Sequence, residues 1–278
     1  MPSCAQVQDA RRTSCSHCVA VSVGGIVIGL RTSNAEFSRL LEQRYGHFVA
    51  PSGRPDFEFE LELAQSFSEE RLDDDVRVWS EAGTWFFERG DFRAQWNPRT
   101  RRGSMLHLPS PYAVDAVLRI THTLLLGDRG GFLLHACSAI RHGRAFLFTG
   151  VSGAGKTTIA RLAPPGVALL TDEVSYVCRM HDSYRAYGTP FAGELATIGE
   201  NKRAPVATLF LLDKASENRI EPVAPPDAVR ALLRNTLFFA QQPELVERLF
   251  KNACHFVEHV PVQRLYFVPN ASVWELIQ

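Results

Sequence analysis

The run Thr149-Gly150-Val151-Ser152-Gly153-Ala154-Gly155-Lys156-Thr157-Thr158 constrains this chain more tightly than any other stretch. It satisfies G-x-x-x-x-G-K-[ST] in full, and its surroundings suit the pattern. Arg144–Thr149 reads as an apolar strand running into the loop, and a helix is expected from Lys156. Gly150, Gly153 and Gly155 leave out side chains that would block close approach. Successive backbone N–H groups can then converge on a phosphate at the helix start. Lys156, one of only four lysines in the chain, supplies a mobile charge for the β- and γ-phosphates. Thr157 offers a hydroxyl to magnesium. Gly150, Val151, Ser152, Gly153, Ala154, Gly155, Lys156, Thr157 and Thr158 therefore form the expected site for ATP and Mg2+. A chance glycine-rich turn would carry none of these flanking signals.

Downstream, Val167-Ala-Leu-Leu-Thr-Asp-Glu173 ends an apolar run with two adjacent acids. In a parallel sheet, ligands gather beyond the carboxyl ends of the strands. That would bring Asp172 and Glu173 to the metal and the terminal phosphate. One would hold magnesium and the other would accept a proton from an attacking hydroxyl; a solvated strand end is the alternative. His135 lies in the apolar Leu133-Leu134-His135-Ala136, fifteen residues before Gly150. Taken alone, a histidine in such a strand is more often a satisfied core residue.

The order strand, His135, strand, phosphate loop, with Thr171-Asp172-Glu173 following, resembles the catalytic domain of HPr kinase/phosphorylase. It is more similar still to the HPr-kinase-related proteins, which carry segments like Gly188-Thr-Pro-Phe-Ala-Gly-Glu194 and Ala204-Pro-Val-Ala-Thr-Leu-Phe-Leu-Leu-Asp213. Some members of that wider group phosphorylate lasso-peptide precursors. The resemblance covers about residues 111–278 and implies a core akin to that of phosphoenolpyruvate carboxykinase. By position it implies Asp172 as catalytic base, Lys156 as phosphate clamp, and Thr157 and Glu173 on the magnesium side. It places His135 near the transferred phosphate and implies an oligomer. The chain departs from the family in one respect: no Arg-Gly-Leu-Gly-like signature follows the acids. Tyr187–Glu194 stands there instead, a turn-rich loop suited to closing over the site, with Glu194 able to replace the family's extra carboxylate on the metal. HPr itself is therefore not the expected acceptor.

The fold class expected is α/β, a P-loop kinase core of that type with a smaller β-rich N-terminal domain. Residues 1–18 read as a tail, 19–110 as the β-rich domain and 111–278 as the catalytic domain. Within 19–110, Phe57, Phe59, Leu61 and Leu63 alternate with Glu58, Glu60 and Glu62, the pattern of a half-buried strand. Short strands follow at Val76–Trp79, Thr84–Glu88 and Phe92–Trp96, giving an antiparallel meander. One helix interrupts them, capped by Asn34, striped by Phe37, Leu40, Leu41 and Tyr45, and ended at Gly46. Beyond Pro109, helices are expected at Tyr112–Leu126, Asp227–Phe239 and Pro243–Cys254.

Acidic and basic residues balance at 30 each, so no global pull toward nucleic acid or an anionic membrane exists. No apolar stretch approaches the roughly 20 residues of a membrane span. A cytoplasmic protein is expected. Cys15-Ser-His-Cys18 has metal-ligand spacing, but no second pair lies nearby to complete a tetrahedral site. The expected activity is transfer of the γ-phosphate from Mg-ATP to a Ser or Thr hydroxyl of a peptide or small protein. A kinase for a free amino acid or metabolite is a close variant. A non-catalytic ATP-sensing module is the reading from another class, and the intact lysine, threonine and acidic pair argue against it.

Overall fold

The computed structural model describes residues 16–51, 53–67, 75–193, 195 and 199–278. Glu194, Cys4 and Cys15 lie outside them. The chain builds two sheets, the first from its N-terminal part alone. Strands β1 (His17–Val23) and β2 (Ile26–Thr32) form a hairpin turned by Gly24 and Gly25, both in the left-handed region. β1 begins inside the segment read as a tail, so Cys18 belongs to a strand. Helix α1 (Ala35–Tyr45) starts where Asn34 accepts a hydrogen bond from the Phe37 amide at 2.8 Å, and it ends at Gly46. Its buried face is Phe37, Leu41 and Tyr45, one residue per turn, while Leu40 stays exposed.

β3 (Phe57–Leu63), β4 (Arg77–Glu81), β5 (Thr84–Arg89), β6 (Phe92–Asn97) and β7 (Arg102–His107) complete a seven-stranded sheet in the order β1-β2-β3-β7-β6-β5-β4. The expected antiparallel meander holds only for β4 to β7. β3 runs parallel to both β2 and β7. For β2 and β3 the reason is α1, which carries the chain from the end of β2 back to the starting edge, as a parallel pair requires. β7 had no sequence signature, because Arg102, Gly103 and Ser104 hide its alternation.

Helix α2 (Pro111–Asp128), opened by Ser110 and Pro111, leads into the second sheet. β8 (Phe132–Arg141) and β9 (Arg144–Thr149) form a hairpin; α3 (Lys156–Arg161) follows the glycine-rich loop. Then come β10 (Ala168–Thr171), β11 (Val174–Met180), β12 (Ser183–Tyr187), β13 (Arg203–Lys214) and β14 (Arg219–Pro222). The chain closes with α4 (Pro225–Asn235), β15 (Thr236–Leu237), α5 (Pro243–His259) and β16 (Val262–Phe267). α4 is shorter than expected because Asn235 and Thr236 donate side-chain hydrogen bonds back to the carbonyls of Ala231 and Leu232. The chain leaves the helix there and pairs with β8.

The second sheet is mixed: β13 runs parallel to β9 and β16, and the remaining pairs are antiparallel. Successive residues of its central strands serve two cores. Ala145 and Leu147 face α4 and α5, while Phe146 and Phe148 face α3 and Trp274. Burial on both faces gives β9 its unbroken apolar run, which imitates an all-parallel strand. Among the described residues, no helix is long and apolar enough to cross a membrane.

His122, on α2, is buried in this frame with its Nδ1 unpartnered, its ring edge-on to Tyr176. Burial, aided by the charge of Arg129, lowers its pKa to about 3. The folded chain therefore keeps it neutral while the unfolded chain protonates it near pH 6.5. The stability tied to neutral His122 is full above about pH 6.5 and is lost as pH falls toward about 3. Between pH 7 and 4.5 the wild type is expected to lose about 2–3 kcal/mol relative to His122→Leu. Urea unfolding of both proteins at the two pH values measures this, and parallel losses would contradict it.

Candidate functional site

The centre of β8 organises the site. On one side, Ala136 pairs with Thr149, the last residue of β9, and Thr149 donates its hydroxyl to the His135 carbonyl at 2.8 Å. The glycine-rich loop therefore leaves the sheet beside His135. On the other side, Ser138 pairs with Thr171 and His135 with Val174, so β10 and β11 together form one long antiparallel partner of β8. Asp172 and Glu173 occupy the gap between them, opposite Cys137 and Ala136. The Ala136 amide bonds the Glu173 carbonyl at 3.1 Å, and the Thr171 hydroxyl accepts from the amides of Glu173 and Val174 at 3.2 Å.

This corrects the expected strand end in a parallel sheet. The acids interrupt an antiparallel run, with β8 between them and β9. Two interstrand spacings separate loop and acids by about 10 Å across the sheet.

In the loop, Lys156 is buried at 8% exposure and donates to the carbonyls of Gly150 at 3.0 Å and Val151 at 3.4 Å. The lysine thus folds back over the turn it follows. Gly155 has φ 110°, and a Cβ there would sit 2.4 Å from the Phe267 ring, so only glycine fits. The Ala154 amide closes on the Val151 carbonyl at 3.0 Å, while the Val151 side chain is 79% exposed at the tip, beside exposed Ser152 and Gly153. Thr157 and Thr158 lie in the first turn of α3. That helix has six residues, so charge at its start rests on the loop amides and Lys156 more than on a macrodipole.

Asp172 is 3% exposed, and both its oxygens are engaged. Oδ1 accepts from the Gly193 amide at 3.0 Å, and Oδ2 from the Leu195 amide at 2.9 Å. Gly193 and Leu195 are thereby tied to Asp172. A Cβ on Gly193 would stand 2.5 Å from Glu173 Oε2 and 3.0 Å from Asp172 Oδ2. Gly193→Ala is expected to push this residue off the carboxylates and slow the reaction proposed below about 100-fold, the effect of a misplacement near 1 Å. Unchanged turnover in that variant would mean that Gly193 does not shape the site.

His135, half-buried, has its pKa lowered first by burial and then by the charge of Lys156, with Glu173 pulling the other way. It is therefore neutral at pH 7. The charges of Asp172 and Lys156 both act on Cys137, and burial drives its thiol pKa up, which keeps it protonated and inert. Lys156, His135, Asp172 and Glu173 thus share one neighbourhood around β8. Two contributors were not singled out by the sequence, one without any signal and one inside the turn-rich Tyr187–Glu194 stretch. Arg119 on α2 lies against the Phe191 ring at 4.9 Å, and its charge acts on both Glu173 and His135. Arginines on helices are usually solvated, and nothing local marks this one. Gly193 was one glycine among several in a turn-rich stretch.

A family model described as ScmC, SynChlorMet cassette protein ScmC, matches residues 113–278, more than half of the chain. Among solved structures, the chain is similar to the HPr(Ser) kinase/phosphatase from Coxiella burnetii at 15% identity, over 44% of this chain and 87% of that one, with a TM-score of 0.24. No curated protein matches.

Proposed function

The chain belongs to the ScmC family, and we propose that it transfers the γ-phosphate of Mg-ATP to a hydroxyl of a peptide or small protein. One observation carries this reading: the glycine-rich loop with Lys156 and the acidic pair flank the same three residues of β8, His135 to Cys137. A donor phosphate and an acceptor hydroxyl can meet between them. Phosphate transfer needs mainly positioning and stabilisation of spreading charge. The loop amides and Lys156 would cradle the β- and γ-phosphates.

Asp172 would orient the acceptor hydroxyl and take its proton, since each of its oxygens retains a lone pair beyond the bond it already accepts. Neutral His135 would line the space between. The core would then be of the P-loop type found in HPr kinases and phosphoenolpyruvate carboxykinase.

The donor set suits magnesium. Among the described residues no cluster of three metal-ligating side chains exists, so a metal caged by protein alone does not fit them. Magnesium bound to nucleotide commonly takes one or two protein oxygens and completes its shell with phosphates and water. Thr157 and Glu173 would supply those oxygens, and the ion would offset phosphate charge. Transfer of labelled phosphate from ATP into host lysate, separated into peptide, protein and metabolite fractions, tests the reading. Label in the peptide or protein fraction only with active enzyme supports it. Label confined to metabolites would move the acceptor class, and nucleotide binding without label would favour an ATP-sensing module.

A further inference from the structure

A cavity of about 420 Å³ opens between α1, α2, β5 and Ala192. Arg44, Arg89, Arg119 and Asp115 line it, with Ile120 and Phe239 as apolar wall. Three guanidinium groups in one small space demand anions. Asp115 answers Arg44 by an ion pair and also accepts from the Tyr45 hydroxyl at 3.0 Å. Arg89 is held by Asp91 through two bonds, at 2.6 and 2.9 Å. Arg119 has no ion pair with any described residue, and its Nε is buried without a hydrogen-bond partner, as is that of Arg44. Asp115 and Asp91 answer Arg44 and Arg89, whereas Arg119 feels Asp115 and Glu173 only through their charges. A phosphate dianion would sit against Asp115. A guanidinium fork pairs naturally with a planar carboxylate.

The cavity adjoins the reaction space. Ala192 forms part of its wall, and the next residue, Gly193, packs on Glu173 and Asp172. We propose that the cavity binds a carboxylate of the phosphate acceptor, with Arg119 as its main partner, so that a neighbouring hydroxyl is presented to Asp172. Arg119 thereby selects acceptors whose hydroxyl lies near a negative charge. The inference rests on the phosphotransferase reading and deepens it by naming the acceptor class.

The test uses the full chain loaded with magnesium and a non-hydrolysable ATP analogue. Three probes are titrated by NMR: acetyl-Ala-Ser free acid, acetyl-Ala-Ser amide and acetyl-Asp-Ser amide. At least one charged probe is expected to bind ten or more times tighter than the uncharged amide. Which one does so tells a terminal carboxylate from a side-chain one. Arg119→Met should erase the preference and Arg119→Lys should restore part of it. Equal binding of the three probes, no binding of any, or a preference that survives Arg119→Met overturns the proposal. Failure of the analogue itself to bind sinks the phosphotransferase reading, and the inference with it.

Discussion

Replacing Lys156 by alanine is expected to lower phosphate transfer by about 100- to 1000-fold, the usual effect of removing one preorganised charge partner from a transition state. The ammonium group is already positioned over the loop by the Gly150 and Val151 carbonyls, so little reorganisation is needed when phosphate arrives. Its low exposure strengthens the effect, because a partly desolvated charge acts through a lower dielectric than water. The same substitution removes the two bonds that close the loop, so nucleotide affinity should fall as well. Labelled-phosphate transfer and nucleotide titration on a variant with an unaltered thermal transition separate these effects. Full activity in Lys156→Ala would exclude the loop as donor site.

Asp172→Asn is expected to abolish transfer to a similar degree, about 100- to 10,000-fold if the carboxylate takes the acceptor proton. The structure adds a second consequence. Asp172 accepts one backbone N–H on each oxygen, from Gly193 and Leu195. Asparagine has a single acceptor oxygen, and its amide nitrogen would face one of those donors. A buried N–H left unsatisfied costs about 1–3 kcal/mol, so the backbone at Gly193 and Leu195 should loosen. Hydrogen exchange at the Gly193 and Leu195 amides should speed up, while nucleotide binding at the loop persists. Rapid exchange with full turnover would leave Asp172 a structural anchor and remove it from the chemistry. Lost turnover with unchanged exchange would mean the opposite.

The glycine-rich loop was legible in the chain because its geometry is local. Glycines at fixed offsets, an apolar run before them and Lys156-Thr157 after them specify a strand, a turn and a helix start within fifteen residues. The same holds for α1, where Asn34 and Gly46 mark both ends and one residue per turn marks the buried face. The bulk of the strands in the first sheet could be read from alternation, but their partners could not. β3 joins β2 and β7 in parallel through pairings separated by more than twenty residues, and no local pattern encodes them.

Asp172 and Glu173 are visible in the sequence as a pair, but their setting is not. β8 and β9 are apolar on both faces because helices cover both, and that burial looks the same in parallel and antiparallel strands. Their place opposite Cys137 and Ala136 follows from register, which depends on the whole sheet. Arg119 lies further still from any sequence rule. A guanidinium on a helix is ordinarily solvated, and only the approach of α1, β5 and the segment around Ala192 turns this one toward a cavity beside the acids. Backbone preference and side-chain period act over a few residues, so they settle turns, caps and strand faces. Charge pairing, burial and strand partners depend on residues brought together from across the chain, and those were decided only when the fold closed.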